Sequence, residues 1–289
     1  MVEKMKKWIF ITLISLIYLP VHAGIKECNN FYQKLHDQDR LSFLIVYGYK
    51  DSRPDRFVGD KYEKLYLAEK LTAKCTITET ILCEFNRDPD NADRFEKNIE
   101  LVGKKNIAVS IDLMNSSVTE DDKMNRRSKY QGWKSKYTEN VFSAGFKNYD
   151  VIFYNGHSRV SGGPDFSPPK ILQSGKVKYF HYMSNKPGIE MIKKNLTTES
   201  KTKVLGFFSC ASSKYFKKDI LSLNPELAYI SSPNLLYYTD ANTNLLAATR
   251  SLIEGDCFKK INEKLRAGKV RVGSVLEYKG KSKFLKQSD

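Results

Sequence analysis

Two short runs, Val151-Ile152-Phe153-Tyr154 and Val204-Leu205-Gly206-Phe207-Phe208, are apolar at every consecutive position. A run this short cannot stand as a helix on its own. With no polar face, it must be covered on both sides, as a strand inside a parallel sheet is. Parallel neighbours require long crossovers, so helices must lie between such strands. The expected fold class is therefore α/β, a three-layer sandwich with a mostly parallel central sheet and helices on both faces.

The rest of the chain supplies those parts. Leu41 to Tyr49 reads as a first central strand, and Leu65, Ala68 and Leu71 recur at helical spacing within Lys61 to Lys74. A second strand is expected at Thr80 to Phe85. Asp88-Pro89 or Asp90 then starts a helix through Phe95 and Ile99 that Gly103 ends. Asn106 to Met114 gives the next strand, and Asn115 to Gln131 a polar, exposed loop with a helix beginning near its end. Trp133, Tyr137, Val141 and Phe142 predict a helix up to Gly145, followed by the Val151 strand. Further helices are expected at Ile189 to Leu196, Tyr215 to Leu221 and Leu245 to Ile253, with a strand at Leu227 to Ser231.

The N-terminus carries Lys4, Lys6 and Lys7, then WIFITLISLIYL, Pro20, and small residues at the Val21-His22-Ala23 junction. This is the layout of an export signal over residues 1–23, too short and wrongly flanked for a stable membrane span. Residues 24–289 are expected to form one α/β domain with a basic C-terminal segment. No later apolar stretch is long enough to cross a bilayer, and the expected location is the periplasm or the extracellular space.

The formal charge is +15; cleavage would remove three lysines and one glutamate, leaving +13. That balance favours contact with an anionic envelope surface, but scattered lysines are also what a solvated exported surface looks like. Only Lys279, Lys281, Lys283 and Lys286 cluster, without the interleaved aromatic residues of a stacking platform, so nucleic acid is not the expected partner.

In an oxidising compartment five cysteines leave one thiol over. The span CTITETILC between Cys75 and Cys83 is short enough to close a local loop. Cys28 can then meet Cys257, leaving Cys210 free, although spacing alone does not fix connectivity.

Cys210 follows one buried run and His157 the other, 53 residues earlier. Sheets of this kind bind ligands beyond the carboxyl ends of their strands, where both residues stand. A cysteine nucleophile needs its proton removed. Ala211-Ser212-Ser213 can open a helix whose N-terminus favours a thiolate, and a neighbouring histidine can accept the proton and return it to a leaving amine. One right-handed crossover between adjacent strands brings the two together.

Histidine first, about 50 residues ahead of the cysteine, each after a buried strand, resembles the caspase-like cysteine peptidases, the group that also holds gingipains, clostripain, separase and legumain. Ser209-Cys210 agrees with the small residue these families place before the cysteine, and Cys210-Ala211-Ser212-Ser213 is similar to the separase surroundings. Gly156-His157-Ser158 departs from them, with its glycine before the histidine and serine after it. The resemblance implies an endopeptidase of protein or peptide substrates that needs no cofactor or metal. Cys210 would be the nucleophile and His157 its acid/base partner, with the backbone N–H groups of Ser158 and Cys210 stabilising the oxyanion. Several relatives prefer a basic P1 side chain, for which Asp165, in the RVSGGPDFSPP loop, and Asp240 are candidate contacts; Arg159 is a candidate for a substrate carboxylate.

Other chemistries fit less well. Gly156-His157-Ser158-Arg159-Val160 lacks the small last residue of a hydrolase elbow, and the only later histidine, His181, follows too closely. Phe216 stands where a cysteine phosphatase needs arginine, and glutamine amidotransferases place cysteine before histidine. His36, His157 and His181 have no close ligand spacing, and Asp88, Asp90 and Asp93 suit helix capping better than calcium. The reading from a different class is a catalytically silent caspase-like protein that binds envelope polymer or a protein partner through its basic surface.

Overall fold

The computed structural model describes residues 28–36, 39–100, 106–267 and 277–279. After a helix over 28–35 (α1), the chain forms β1 (Arg40–Tyr47), α2 (Asp60–Thr72), β2 (Asn86–Arg87), β3 (Arg94–Ile99), β4 (Ile107–Asn115), α3 (Asp122–Arg127) and α4 (Gln131–Asn148). It continues with β5 (Val151–Asn155), α5 (Tyr179–Asn185), α6 (Pro187–Asn195), β6 (Val204–Phe208), α7 (Ser212–Leu223), β7 (Ala228–Ser231), α8 (Tyr238–Glu254), α9 (Phe258–Ala267) and β8 (Glu277–Lys279).

All eight strands join one sheet in the order β2-β3-β4-β1-β5-β6-β7-β8. Pairing is parallel from β4 through β1, β5 and β6 to β7, and antiparallel at both edges. The chain winds one way from β1 to β4 and the other way from β1 through β5, so the winding reverses at β1. A crevice beyond the carboxyl ends of strands is expected at such a point.

The doubly apolar runs are explained by two cores. Phe43, Ile45, Val151, Phe153, Val204, Phe208 and Ile230 face α1, α2, α8 and α9. Leu44, Val46, Ile152, Tyr154, Leu205, Phe207 and Tyr229 face α4, α6 and α7. Successive residues of a strand point to opposite faces, so a strand between two helical layers has no position for a polar side chain. Gly206 is part of this fit: a Cβ there would lie 2.7 Å from Cδ1 of Phe153, whose ring packs edge-on to Phe208 at 5.1 Å.

The segment between α2 and β4 corrects the sequence reading. Thr80 to Phe85 is not a strand but a series of bends, and the expected helix from Asp88 or Asp90 is the β2–β3 hairpin. Asp88 Oδ1 accepts from the N–H groups of Asp90 (2.8 Å) and Asn91 (3.3 Å), so the acid caps a hairpin turn rather than a helix. Gly103 lies outside the described residues. Lys97 Nζ donates to the carbonyls of Cys83 (2.7 Å), Thr80 (3.1 Å) and Ile81 (3.4 Å), gathering the bends that take the strand's place.

Disulfides join Cys75 to Cys83 and Cys28 to Cys257, with Cα separations of 5.1 and 5.7 Å; Cys210 is the free cysteine. Among the described residues no helix is long and apolar enough to cross a membrane. The expected signal, residues 1–23, lies outside the described residues, as do Lys281, Lys283 and Lys286 of the basic C-terminal segment.

Candidate active site

β5 and β6 are adjacent, parallel and in register, Asn155 opposite Phe208. His157 and Cys210 each stand two residues past that pair, and both are half-buried. The ladder runs slightly beyond the strands: Gly156 N–H donates to the Phe208 carbonyl at 3.4 Å, and Gly48 N–H to that of Asn155 at 2.9 Å. The ends of β1, β5 and β6 therefore form one rim.

The turn that carries Cys210 is fixed to the loop after β7. Ala211 N–H donates to Asn234 O at 2.7 Å and Ser213 N–H to Ser232 O at 2.9 Å. Ser212 Oγ donates to Phe207 O (3.0 Å) and accepts from Ser232 N–H (2.9 Å). Ala211, left-handed at φ 50°, is the N-cap of α7, so Cys210 immediately precedes the helix end that favours negative charge. Its Sγ donates to Leu236 O at 3.4 Å and accepts from Leu236 N–H at 3.5 Å.

His157 is held by its backbone. The buried Tyr154 hydroxyl reaches the His157 carbonyl at 3.0 Å and accepts from Asp165 N–H at 2.9 Å. Gly163 is required beside it, because a Cβ at that position would come within 2.6 Å of the His157 carbonyl. No hydrogen bond reaches the imidazole among the described residues. Burial, then the charges of Arg159 and Lys50, push its pKa down to about 3, so the ring is neutral near pH 7. Ser158 adopts φ −79°, a conformation open to any residue, so the backbone here does not call for the glycine of the resembling families. Neither the Ser158 nor the Cys210 N–H is taken by an acceptor among the described residues.

None of the three candidate substrate contacts is free for a substrate as expected: two are each other's partners and the third is buried. Arg159 Nε donates to Asp165 Oδ2 at 2.7 Å, and both side chains are nearly buried, so the two expected substrate-binding charges neutralise each other. The pair closes a loop in which Arg159, Val160 and Ser161 all have positive φ, a costly backbone that needs such a clamp. Asp240 is not in a loop. It lies fully buried in the first turn of α8 and faces the protein interior.

Sequence reasoning missed a polar group beside the rim. Lys50 Nζ is ion-paired with Glu63 and donates to Asn155 Oδ1 at 2.8 Å; Asn155 Nδ2 donates to Asn242 Oδ1 at 2.9 Å. Fully buried Asp60 accepts from the N–H groups of Ser117 (2.6 Å) and Ser116 (2.9 Å) and from Ser117 Oγ (2.6 Å), tying α2 to the end of β4. Burial raises the pKa of both Asp60 and Glu63, while the Ser117 bonds and Lys50 respectively oppose it. The available signal was a polar residue closing each apolar run, Asn155 as the last residue of β5 and Asn115 as the last of β4, followed by two serines. Asp60 and Glu63 instead look like ordinary acids of a first helical turn. A cleft of about 470 Å³ opens between α2 and the start of α8, lined by Glu63 and Asn242 but not by His157 or Cys210.

Among the described residues no group of three or more His, Cys, Asp or Glu side chains is arranged to hold a metal ion. Among known proteins, no family model matches this chain and no curated protein matches it.

Proposed function

We propose that this chain is an exported cysteine endopeptidase of the caspase-like kind, acting through His157 and Cys210. The observation that carries the reading is the β5–β6 register, which sets a free thiol and an imidazole at the same level beyond two neighbouring strands. Cys210 Sγ attacks the peptide carbonyl while its proton passes to the neutral His157 ring. The oxyanion takes hydrogen bonds from the N–H groups of Ser158 and Cys210. Collapse to the thioester expels the amine, which takes the proton from His157, and water then hydrolyses the thioester. Two disulfides support an oxidising compartment for the folded chain.

A catalytically silent binder is the second reading. It is favoured by the hold of Leu236 N–H and C=O on Sγ, where an active dyad would engage the imidazole. Profiling the purified wild type and Cys210→Ala on a peptide library separates them. Cleavage by the wild type that is lost in Cys210→Ala is expected; cleavage by neither overturns the peptidase reading.

A further inference from the structure

The connection between β5 and β6 carries an arm that the fold does not bury. Every residue from 170 to 176 is exposed, yet the segment is folded into a hairpin. Leu172 N–H donates to Lys176 O at 2.8 Å and Lys178 N–H to Lys170 O at 2.7 Å, and Ile171 bridges Val177. Its base is tied to α5, where the Tyr182 hydroxyl accepts from Lys170 N–H at 3.0 Å. α5 is packed in turn on the loop after His157: a Cβ at Gly162 would lie 2.5 Å from Cβ of Tyr182, and the Arg159 guanidinium stands over the Tyr182 ring at 6.0 Å. The arm is a braced projection. What it presents is apolar: Ile171, Leu172, Tyr179, Phe180 and Met183 are all exposed, Phe180 to 76%. Tyr179, Phe180 and Met183 lie three and four apart on α5 and share one face, and the hairpin sets Ile171 and Leu172 next to the start of that helix. Large apolar side chains gathered in this way mark an interaction surface.

Charge narrows what covers it. Between Asp165 and Glu190 the chain has no acidic residue but has Lys170, Lys176, Lys178 and Lys186. Lys186 lies 3.7 Å from Asp219, whereas the other three have no acidic partner among the described residues. A bilayer with anionic headgroups meets both halves of this surface at once. Phenylalanine, leucine, isoleucine and methionine enter the acyl boundary, tyrosine sits at headgroup level, and lysine stems follow the apolar layer while their ammonium groups stay with the phosphates. We propose that the arm docks the protein on an anionic phospholipid surface, with Phe180 and its apolar neighbours inserted and Lys170, Lys176 and Lys178 on lipid phosphates. Scattered surface lysines attract such a surface without inserting; the arm adds the insertion. Because it is braced on the loop after His157, docking holds the rim beside the bilayer. The lipid contact does not depend on the peptidase reading.

The test is sedimentation of the full-length protein with vesicles that contain phosphatidylglycerol and with vesicles of phosphatidylcholine alone. The wild type is expected to favour the anionic vesicles. Lys170→Gln/Lys176→Gln/Lys178→Gln should weaken that binding about 100-fold, roughly fivefold for each lysine at an anionic surface. Lys34→Gln/Lys74→Gln/Lys259→Gln removes the same charge from exposed positions on α1, after α2 and on α9, in the opposite helical layer, and should weaken it far less. Phe180→Ser should weaken it about tenfold or more at an unchanged melting temperature, since the side chain is exposed in the free protein. Phe180→Trp gives a readout that neither residues 1–23 nor the native Trp8 and Trp133 supply: brominated phosphatidylglycerol should quench its emission beyond that of the wild type. No added quenching, or equal losses from the two lysine triples, overturns the lipid arm. If a soluble anionic polysaccharide is held as tightly as the vesicles and Phe180→Ser weakens neither, the arm is a polyanion site and the lipid assignment falls. Cys210→Ala should sediment like the wild type, so the absence of peptide cleavage removes the peptidase reading alone.

Discussion

The His157 ring differs from a free imidazole in how it titrates, because it is largely withdrawn from water and the charges of Arg159 and Lys50 oppose a further positive charge. Both effects disfavour the protonated form, so the folded-state value lies near 3 against the ordinary 6.5. Between those limits the unfolded chain binds a proton that the native ring refuses. This contribution to stability is therefore complete above about 6.5 and is lost as pH falls toward about 3. In catalysis the same shift keeps the base neutral in mild acid. The acid limb of kcat/KM for peptide cleavage is expected well below pH 6, and a pH–rate profile of the wild type measures it. A limb near 6.5 would mean that the ring is open to water and that Arg159 and Lys50 do not act on it.

At the level of elements, β6 both places Cys210 and packs the sheet, so damage to its packing should reach the site. Replacing Gly206 with valine puts a branched side chain where even a Cβ lies 2.7 Å from the Phe153 ring. Overpacking of this kind costs about 1–3 kcal/mol, to be read from the urea midpoint, and peptidase activity should fall with it because β5 and β6 move apart. An unchanged midpoint would mean that the Phe153–Phe208 pair has slack. The strands that place His157 and Cys210 were legible in the sequence because each is covered on both faces and so is apolar throughout. The β2–β3 hairpin was not: Phe95 and Ile99, four apart, share a face in a helix and also in a strand, where every second residue does. The helix of α4 was legible in its apolar spacing, but not the full make-up of its inward face. Trp133 and Tyr137 stack on each other at 5.4 Å on the outer surface, while Gln131 and Thr138 turn inward, Nε2 of Gln131 donating to Ser116 O (2.8 Å) and the Thr138 hydroxyl to Asn115 O (3.0 Å). Those partners come from a distant strand end, which local hydrophobic spacing cannot reveal. The Lys50–Glu63–Asn155 group was hidden in the same way, since each residue is unremarkable in sequence and gains its meaning from a neighbour that the fold brings to it; Arg159 and Asp165, six residues apart in one loop, stood out in the sequence but not as each other's partner.

For the whole molecule, the two disulfides divide the work unequally. Cys75–Cys83 closes a separation of 8 residues within the connection between α2 and β2, whereas Cys28–Cys257 spans 229 and fixes α1 to the residue before α9 on one helical face. In the chain-entropy account, a cross-link stabilises by restricting the unfolded state, and the effect grows with the logarithm of the closed loop. That gives about 5 kcal/mol for the long link and about 2.5 kcal/mol for the short one. The long link also holds together the layer made by α1, α2, α8 and α9, which packs beneath Phe43, Phe153 and Phe208 and so supports the strands that present His157 and Cys210. Replacing Cys28 and Cys257 with serine should therefore lose roughly twice as much stability as replacing Cys75 and Cys83, measured as the shift in guanidinium midpoint at constant slope. The same double variant should also lose peptide cleavage at a lower denaturant concentration than the wild type, since the site sits on the layer that loosens. A larger loss from the Cys75–Cys83 pair would show that the bends gathered around Lys97, rather than the closure of the chain through α1 and α9, carry the stability of the fold.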